Sequence, residues 1–313
     1  MKSRAECGSE MTKELFSNFS KGSNLSEEIL TSYDLGQLST YRVGGLAAFF
    51  ARIPKLSDLK KITEAISKSG IEVLIIGKGS NLLVSDSGFD GLVIQLTDDF
   101  EHVSIEDQIA TAGGAVSLPV LARSSVKAGL SGLEWAVGVP GSVGGAVRMN
   151  AGGHGASISD SLMSVKIFNL RTNKQETISV EELEMQYRST SVSEEQVVTE
   201  ANFLLDVGTV EEGEEIISEI VRWRRENQPG GQNAGSVFMN PLGDSAGRLI
   251  DISGLKGYEI GSAKVSEKHA NFIQVKPNGS AEDIYKLMKE IHTKVLEKTG
   301  ISLKTETVMI GFD

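Results

Sequence analysis

The sequence predicts an α+β protein with more than one domain, and three observations lead to this. The chain has 313 residues, more than one hydrophobic core usually organises. Amphipathic helical stretches are interspersed with short apolar runs that are typical of strands. Near Gly77 a strand, a glycine turn and a second strand follow one another, whereas a Rossmann unit has a helix after its glycine turn.

Four helices are predicted from apolar spacing and from residues that start or stop helices. The first begins at Ser57 and ends at Gly70, and the second covers residues 118–127, with Pro119 in its first turn and Gly129 after it. The third covers residues 216–227, after an acidic run that suits a helix start. The fourth follows the N-cap Ser280 and stops at Gly300, and its apolar stripe indicates a core-facing helix.

Strands are predicted where β-branched and apolar residues form short runs between turn residues. Residues 180–185 are expected to form one or two helical turns, and the last hundred residues to form a separate α+β unit. The predicted strands are residues 72–76, 91–96, 109–112, 164–170 and 196–207, with further sheet from Val265, Phe272, Ile273, Val275 and residues 308–312.

A dense glycine run lies at residues 138–155, with seven glycines in eighteen residues. Glycine is tolerated at this density mainly where its missing Cβ or a positive φ has a use, and exposed amides in such runs hold phosphates. A series of tight turns in a β-rich domain explains the spacing equally well. Because neither standard nucleotide motif fits, the working hypothesis is a phosphate-bearing cofactor on a different glycine scaffold.

Two further glycine turns support that hypothesis. Residues 77–81 read Gly-Lys-Gly-Ser-Asn, and residues 40–45 read Thr-Tyr-Arg-Val-Gly-Gly. The arginine of the latter could meet a pyrophosphate.

These motifs, in this order, resemble the UDP-N-acetylenolpyruvoylglucosamine reductase (MurB) family. The resemblance runs from about residue 35 to residue 310 and includes several short segments between residues 132 and 272. They are Gly132-Leu133-Glu134, Gly138-Val139-Pro140-Gly141, Met149-Asn150-Ala151-Gly152, Tyr187-Arg188, Gly235-Ser236-Val237-Phe238, Asn240-Pro241, Gly254-Leu255-Lys256-Gly257 and residues 266–272.

The resemblance implies an FAD-binding fold of the vanillyl-alcohol-oxidase/PCMH type, with two α+β subdomains, followed by a smaller α+β substrate-binding domain. We expect an extension at residues 1–30, with a flexible chain as one interpretation, the FAD-binding domain at 31–210 and the substrate domain at 211–313. The implied reaction uses NADPH and bound FAD to reduce the enolpyruvyl group of UDP-N-acetylglucosamine-enolpyruvate to UDP-N-acetylmuramate, a peptidoglycan precursor.

The same resemblance assigns site residues. Ser236 matches the family's proton donor, Arg188 its carboxylate-binding arginine, and Glu306 its C-terminal glutamate. From the residues alone these would be a turn, a surface loop and an exposed edge strand. The expected FAD-binding residues are Tyr41, Arg42, Val43, Gly44, Gly77, Lys78, Gly79, Ser80, Asn81, Leu82, Gly138, Pro140, Gly141, Ser142, Gly144, Gly145, Asn150 and Gly152.

Substrate binding is expected from Tyr187, Arg224, Arg225, Gln228 and Asn240, because the short segments here match the family form without an insertion over the substrate. Arg224 and Arg225 would otherwise be a basic helix end that complements the helix dipole. Val308 and Met239 stand where many family members have more polar residues, and this leaves an inactive FAD- or nucleotide-binding homologue as an alternative. Another flavin oxidoreductase of the same fold is a second alternative.

Composition excludes several classes of partner. A net charge of −11 argues against nucleic-acid binding, and no apolar run is long enough to span a membrane. One cysteine, Cys7, and four histidines without ligand spacing predict no disulfide and no metal site. We therefore expect a cytoplasmic enzyme with a small-molecule nucleotide sugar substrate, acting as a monomer or weak oligomer.

Overall fold

The computed structural model describes residues 4–312 and divides the chain into two compact units. The first unit takes the chain up to Tyr33, then Ala47–Lys78 and Asp90–Val221. The second takes Asp34–Leu46, Gly79–Phe89 and the chain from Arg222 onward. The chain enters the second unit three times, so the units do not follow the single cut near residue 210 that the sequence suggests.

Seven α-helices lie within the described residues. The helices are α1 (Arg4–Lys21), α2 (Leu56–Ser69), α3 (Leu118–Lys127), α4 (Val143–Arg148), α5 (Val210–Asn227), α6 (Ala246–Ile252) and α7 (Ala281–Thr299).

Eighteen short strands complete the described chain. They are β1 (Leu30–Asp34), β2 (Leu46–Ile53), β3 (Val73–Ile75), β4 (Leu82–Val84), β5 (Phe89–Leu96), β6 (Val103–Glu106), β7 (Ile109–Gly113), β8 (Leu130–Ser131), β9 (Gly152–Gly153), β10 (Ala156–Ser157), β11 (Leu162–Asn169), β12 (Lys174–Ser179), β13 (Gln196–Leu204), β14 (Asp206–Val207), β15 (Glu259–Ile260), β16 (Ala263–Val265), β17 (Ile273–Val275) and β18 (Val308–Ile310).

The first unit is built on two sheets. One sheet has the order β1-β2-β5-β3, with β3 parallel to β5. Helix α2 connects β2 to β3 in the sequence. The other is the antiparallel sheet β12-β11-β13-β7-β6. Two apolar clusters form the core, one around Ile62 and Phe168 and the other around Trp135 and Phe203.

The second unit has a three-stranded antiparallel sheet, β15-β16-β17, and a parallel pair, β4 and β18. Its core collects the apolar face of α7, including Ile284, Leu287 and Ile291, together with Val237 and Tyr41. The closing strand therefore joins the strand that follows the Gly77–Asn81 turn, which the sequence did not indicate.

The predicted helix ends agree closely with the structure at two helices. Ser280 caps α7 by accepting a hydrogen bond from the Asp283 amide, and Gly300 ends it at φ 73°. The boundaries of α3 match the predicted range of 118–127. Helix α5, however, begins at Val210, six residues before the predicted start, because the acidic run is itself helical.

The N-terminal segment differs from a flexible extension. Residues 4–21 form α1, in which Phe16 is fully buried and its ring lies edge-on to Phe49, with the centroids 4.9 Å apart. Lys13 Nζ also lies 2.6 Å from Asp90 Oδ1. The buried ring of Phe16 holds the helix in place. Because the segment is polar overall, its composition did not indicate this buried residue. Residues 1–3 lie outside the described chain.

Candidate functional site

Two glycine motifs that are distant in sequence meet in the first unit. Gly77 packs so closely on Ser142 that a Cβ at residue 77 would overlap the Ser142 hydroxyl. Only glycine permits this approach of the backbone. The turn after β3 and the start of α4 therefore form one site, as the cofactor hypothesis requires.

An open cavity lies beside this contact, entirely within the first unit. Its lining combines glycines with polar and basic side chains, which suits an elongated ligand that carries phosphates. The lining includes Gly77, Lys78, Gln95, Gly114, Ser142, Gly144, Gly145, Arg148, Gln196 and Val198. Lys78 Nζ lies 3.4 Å from Glu101 Oε1 in an exposed ion pair, which is a weak restraint on the lysine.

The backbone amides that start α4 have acceptors within the protein, which corrects part of the expected phosphate site. Val143 N donates to Val116 O at 2.8 Å, and Gly144 N donates to Gly114 O at 2.9 Å. Gly145 N donates to the capping hydroxyl of Ser142 at 3.3 Å. These three amides thus hold α4 against its own unit, so Gly144 and Gly145 can contribute close approach but not these N–H groups.

The amides of the other glycine turn differ. Among residues 4–312, no protein acceptor is seen for the backbone N–H groups of Gly77 and Lys78. The Gly77 carbonyl, by contrast, accepts a hydrogen bond from Gln95 Nε2 at 2.8 Å. The Gly77 and Lys78 amides can therefore act as donors to a phosphate.

Asn150 and Gly152 lie in the same unit, and their backbone carbonyls bind the side chain of Arg188. The buried Asn150 amide donates to Gln186 O at 2.9 Å and accepts from Ser159 N at 3.1 Å, so this side chain is committed to the protein. Arg188 donates to Gly152 O at 3.1 Å and to Asn150 O at 3.4 Å, and its backbone has φ 58°. The Met-Asn-Ala-Gly motif therefore orients the predicted carboxylate-binding arginine.

The remaining predicted residues of the central glycine run have structural positions. Gly138 ends a 3₁₀ turn, Pro140 is exposed, and Gly141 O accepts from Leu118 N at 2.9 Å. Together they lead the chain from α3 to α4.

The Thr40–Gly45 turn belongs to the second unit. Tyr41 is fully buried in that unit's core, and burial raises the pKa of its hydroxyl far above the usual value. The Arg42 guanidinium donates to Gln37 O at 2.8 Å, and Val43 is buried. Gly44 has φ 128°, so the turn requires glycine there. Any contact of Tyr41 with a cofactor would therefore come from its backbone.

Gly79, Ser80, Asn81 and Leu82 also lie in the second unit. Gly79 has φ 62° and packs against the Leu38 carbonyl, and Ser80 is half-buried. Leu82 is buried in β4. Asn81 Nδ2 donates to Glu306 O at 3.0 Å, and Val308 N donates to Asn81 O at 3.0 Å. The predicted cofactor turn is thereby tied to the strand that carries the predicted C-terminal glutamate.

Ser236 and Glu306, although far apart in sequence, are brought together in the second unit. Glu306 N donates to Val237 O at 2.8 Å, and Ser236 is bridged to Phe272 on its other side. Both Ser236 and Glu306 are half-buried. A hydroxyl and a carboxylate on adjacent extended segments can serve proton transfer to a bound substrate.

The predicted substrate residues lie at the end of α5 and on nearby loops. Arg224 Nε donates to Gln228 Oε1 at 2.8 Å, and burial lowers the pKa of this guanidinium. Arg225 is exposed, and its carbonyl accepts from Lys268 Nζ at 2.6 Å. Asn240 Oδ1 accepts from Ala246 N at 3.0 Å, which starts α6. Tyr187, in the first unit, is exposed, with its ring 4.9 Å from the Arg188 guanidinium carbon.

Sequence reasoning missed several residues of this site. Arg148 and Gln196 line the cavity, and Gln95 fixes the Gly77 carbonyl. The sequence could have indicated Arg148, because Gly144 lies four residues before it, a spacing that places two residues on one face of a helix. Gln95 and Gln196 sit on ordinary strands, and only the fold brings them to the cavity.

Neither a metal-binding cluster nor a membrane-spanning helix is found within residues 4–312. That part of the chain contains no group of three or more histidine, cysteine, aspartate or glutamate side chains arranged to hold a metal ion. None of its helices combines the length and apolar character needed to cross a membrane.

Comparison with known proteins gives two family matches. Residues 227–310 match the family model described as UDP-N-acetylenolpyruvoylglucosamine reductase, C-terminal domain, and residues 47–177 match the one described as FAD binding domain. The matches cover Ser236, Glu306 and the cavity-lining residues between positions 75 and 148.

Relatives extend the match over nearly the whole chain. The UDP-N-acetylenolpyruvoylglucosamine reductase of Anoxybacillus flavithermus is 39% identical over 276 residues, which cover 87% of this chain and 91% of the relative. The enzyme of that name from Bacillus subtilis is 37% identical over 287 residues, covering 91% and 94%. The crystal structure of UDP-N-acetylenolpyruvylglucosamine reductase (MurB) from Thermus caldophilus superimposes with a TM-score of 0.78 at 34% identity, covering 90% of this chain and 98% of that one.

These matches confirm the resemblance, and with it the α+β fold with an FAD-binding domain that the resemblance implied. Identity above 30% over most of both chains is enough to establish kinship. The chain belongs to the UDP-N-acetylenolpyruvoylglucosamine reductase family.

Proposed function

We propose that this chain is an FAD-containing, NADPH-dependent reductase that converts UDP-N-acetylglucosamine-enolpyruvate to UDP-N-acetylmuramate. The observation that carries the proposal is the hydrogen bond from Glu306 N to Val237 O, because Val237 directly follows Ser236 and the resemblance assigns Ser236 and Glu306 to proton transfer. Relatives that span nearly the whole chain carry the reductase name, which supports the reaction class.

The residues present fit the FAD that the family implies. A Cβ at Gly77 would fill the space against Ser142, and the amides of Gly77 and Lys78 face no protein acceptor in the described chain. Gly77, Lys78, Ser142 and Arg148 would hold the phosphates, with the cavity walls around Val198 giving apolar contact. When bound, FAD supplies the hydride chemistry between NADPH and C3 of the enolpyruvyl group.

Hydride addition at C3 leaves negative charge on C2 and on the adjoining carboxylate of the substrate. Arg188 suits the carboxylate, because a guanidinium offers paired donors in one plane. That plane is fixed by the carbonyls of Asn150 and Gly152, so little conformational freedom is lost on binding. Arg188 therefore stabilises the charge that develops in the transition state.

Ser236 would protonate C2 from its hydroxyl. A serine hydroxyl is a weak acid, but an enolate is a strong base, so transfer is feasible when the hydroxyl is held against C2. Glu306 lies on the adjacent segment and would orient the reacting groups or complete a proton relay. Two nearby positions depart from the family pattern, Val308 and Met239. Val308 lies in β18, and Met239 N donates to Lys304 O.

Arg224, Arg225 and Gln228 would bind the nucleotide diphosphate in place of a covering insertion. Both the substrate and NADPH occur in the cytoplasm, so we place the enzyme there, acting as a monomer or weak oligomer on a nucleotide sugar.

NADPH oxidation by the FAD-reconstituted chain, with and without the enolpyruvyl nucleotide, tests the proposal. We expect strong stimulation by the nucleotide. Equal rates with and without it, in protein that retains FAD, would contradict the proposal and favour a homologue without this turnover. NADH in place of NADPH tests the choice of reductant, and we expect slower oxidation.

A further inference from the structure

We propose that Asn271 is a positioning residue for the proton donor Ser236. This inference rests on the proposed function, because Ser236 has a proton to deliver only if the reduction takes place. Asn271 is outside the residues that the motifs assign to chemistry, and its side chain is only 3% exposed. Its role follows from what the buried amide contacts.

The Asn271 side chain bonds both backbone groups of Phe238. Phe238 N donates to Asn271 Oδ1 at 3.0 Å, and Asn271 Nδ2 donates to Phe238 O at 2.8 Å. A carboxamide offers a donor and an acceptor side by side without carrying a charge, so it replaces a strand partner for this residue. Phe238 is itself buried, so without Asn271 both backbone groups would lack a partner.

The backbone of Asn271 adds a third bond to the same segment. Val237 N donates to Asn271 O at 2.9 Å, and Ser236 is bridged to Phe272. One residue therefore fixes the two positions that directly follow Ser236.

On its opposite side the segment is held by the closing part of the chain. Glu306 N bonds Val237 O at 2.8 Å, and Met239 N bonds Lys304 O at 2.8 Å. The segment after Ser236 thus lies between Asn271 and residues 304–306, and hydrogen bonds on both sides fix its backbone. These bonds set the spacing between the two groups proposed for proton transfer.

The chain before Ser236 is held within its own turn, where Gly235 N donates to Asn233 Oδ1 at 3.1 Å. Gly235 has φ 77°, a conformation of low cost only for glycine, and Ser236 itself joins no regular strand. The bonds at residues 237 and 238 therefore contribute directly to the position of the hydroxyl. Misplacement of a reacting group by about 1 Å can slow a step by about 100-fold.

The test measures the two half-reactions of the holoenzyme separately in Asn271→Ala and Asn271→Asp. NADPH reduction of the bound flavin does not use Ser236, whereas reoxidation by the enolpyruvyl nucleotide does. We expect flavin reduction within about two-fold of the parent chain and reoxidation slowed by about 10- to 100-fold in Asn271→Ala. The solvent deuterium isotope effect on reoxidation should rise, because proton delivery becomes slower.

Asn271→Asp provides a readout that general destabilisation would not give. A protonated carboxyl can donate to Phe238 O and accept from Phe238 N, whereas an ionised carboxylate faces that carbonyl with like charge. We expect reoxidation by this variant to be close to normal at low pH and to fall as the carboxyl ionises. The matched control is Asn202→Ala, which loses bonds to Thr111 and Ser164 in the five-stranded sheet and should leave the half-reaction ratio unchanged.

Each outcome decides the question. Selective loss of reoxidation in folded, flavin-loaded Asn271 variants supports the proposal. Equal losses in both half-reactions, or no loss in either, would overturn it. If Asn271→Ala does not fold, the pH profile of Asn271→Asp decides alone, and a profile parallel to that of the parent would overturn it. A parent chain with no nucleotide-driven reoxidation would overturn the proposed function, which is a separate result.

Discussion

Asn81 Nδ2 donates a hydrogen bond to the backbone carbonyl of Glu306 at 3.0 Å. Asn81 ends the Gly77–Asn81 turn, and Glu306 precedes β18, so this bond joins the start of β4 to the segment that clamps Ser236. The sequence motifs assign Asn81 to the cofactor and Glu306 to catalysis. Their direct contact indicates that the turn also sets the position of the glutamate.

Asn81→Ala tests this double role. Loss of the bond releases the Glu306 backbone, so we expect kcat to fall by about ten-fold or more in enzyme saturated with FAD. Flavin titration followed by steady-state assay at saturating FAD separates the two effects. A normal kcat with weakened FAD binding would instead return Asn81 to a purely cofactor-binding role. Asn169→Ala, which removes a side-chain bond to the Arg171 and Thr172 amides, is the control.

Ser236→Ala tests the proposed acid. Removing the hydroxyl should leave flavin reduction by NADPH intact and slow turnover by about 10²- to 10⁴-fold, the usual contribution of a positioned acid. Stopped-flow absorbance of the flavin measures both steps. Near-normal turnover would mean that C2 receives its proton from another group.

Local signals predicted most of the regular structure. Ser280 and Gly300 mark the ends of α7 because capping depends on a few neighbouring residues. The short helix α4 was missed, since Gly144 and Gly145 are poor helix formers and tertiary bonds hold this turn. Pairing of β18 with β4 was also missed, because strand partners depend on the whole fold.

The candidate site was predictable mainly where a motif carries it. Gly77 and Ser142 lie in separate glycine motifs, and their contact agrees with the expectation of one shared site. Motif logic could not separate cofactor contacts from scaffold, and Asn150 illustrates this, because both ends of its amide bond the protein backbone. Asn271 was equally hidden, since its motif gives no indication of what the side chain contacts.

Gly77→Ala tests the close approach in the cofactor cavity. The new Cβ would overlap Ser142 Oγ, so we expect a loss of about 1–3 kcal/mol in the free energy of unfolding and reduced flavin content. Ser142→Gly in the same chain should restore part of the lost stability, because it removes the obstructing hydroxyl and glycine is tolerated at an N-cap.

Denaturant unfolding and flavin absorbance per chain measure these effects of Gly77→Ala. Gly230→Ala is the control, because a Cβ at Gly230 meets no atom within 4 Å. Equal stability of the Gly77→Ala and Gly230→Ala chains would show that the turn can relax away from Ser142.

Arg225→Ala tests the proposed diphosphate site. Loss of a charged hydrogen bond should raise KM for the enolpyruvyl nucleotide by about ten-fold or more, with little change in flavin content. Arg171→Ala, which removes an exposed ion pair with Glu195, serves as a charge-matched control. An unchanged KM in Arg225→Ala would remove this residue from the substrate site.

His269 predicts a contribution to acid sensitivity of the fold. Its ring lies edge-on to Phe272 with centroids 4.7 Å apart, and Nδ1 accepts a bond from Asn271 N at 3.3 Å. Burial, with a smaller effect from nearby Lys256, lowers the pKa of His269 below its ordinary value of 6.5. The folded chain therefore favours the neutral form of the His269 ring.

The unfolded chain binds this proton more readily than the folded chain, so the free energy of unfolding should fall as pH drops below about 6.5. His269→Gln removes the proton site, and its denaturant midpoint should change less between about pH 7.5 and 5.5 than that of the parent. His292→Gln, at a half-buried ring bonded to Ser302, serves as the control. Parallel curves for parent and His269→Gln would show that other groups cause the acid sensitivity, because only a site whose pKa differs between the two states can contribute to the slope.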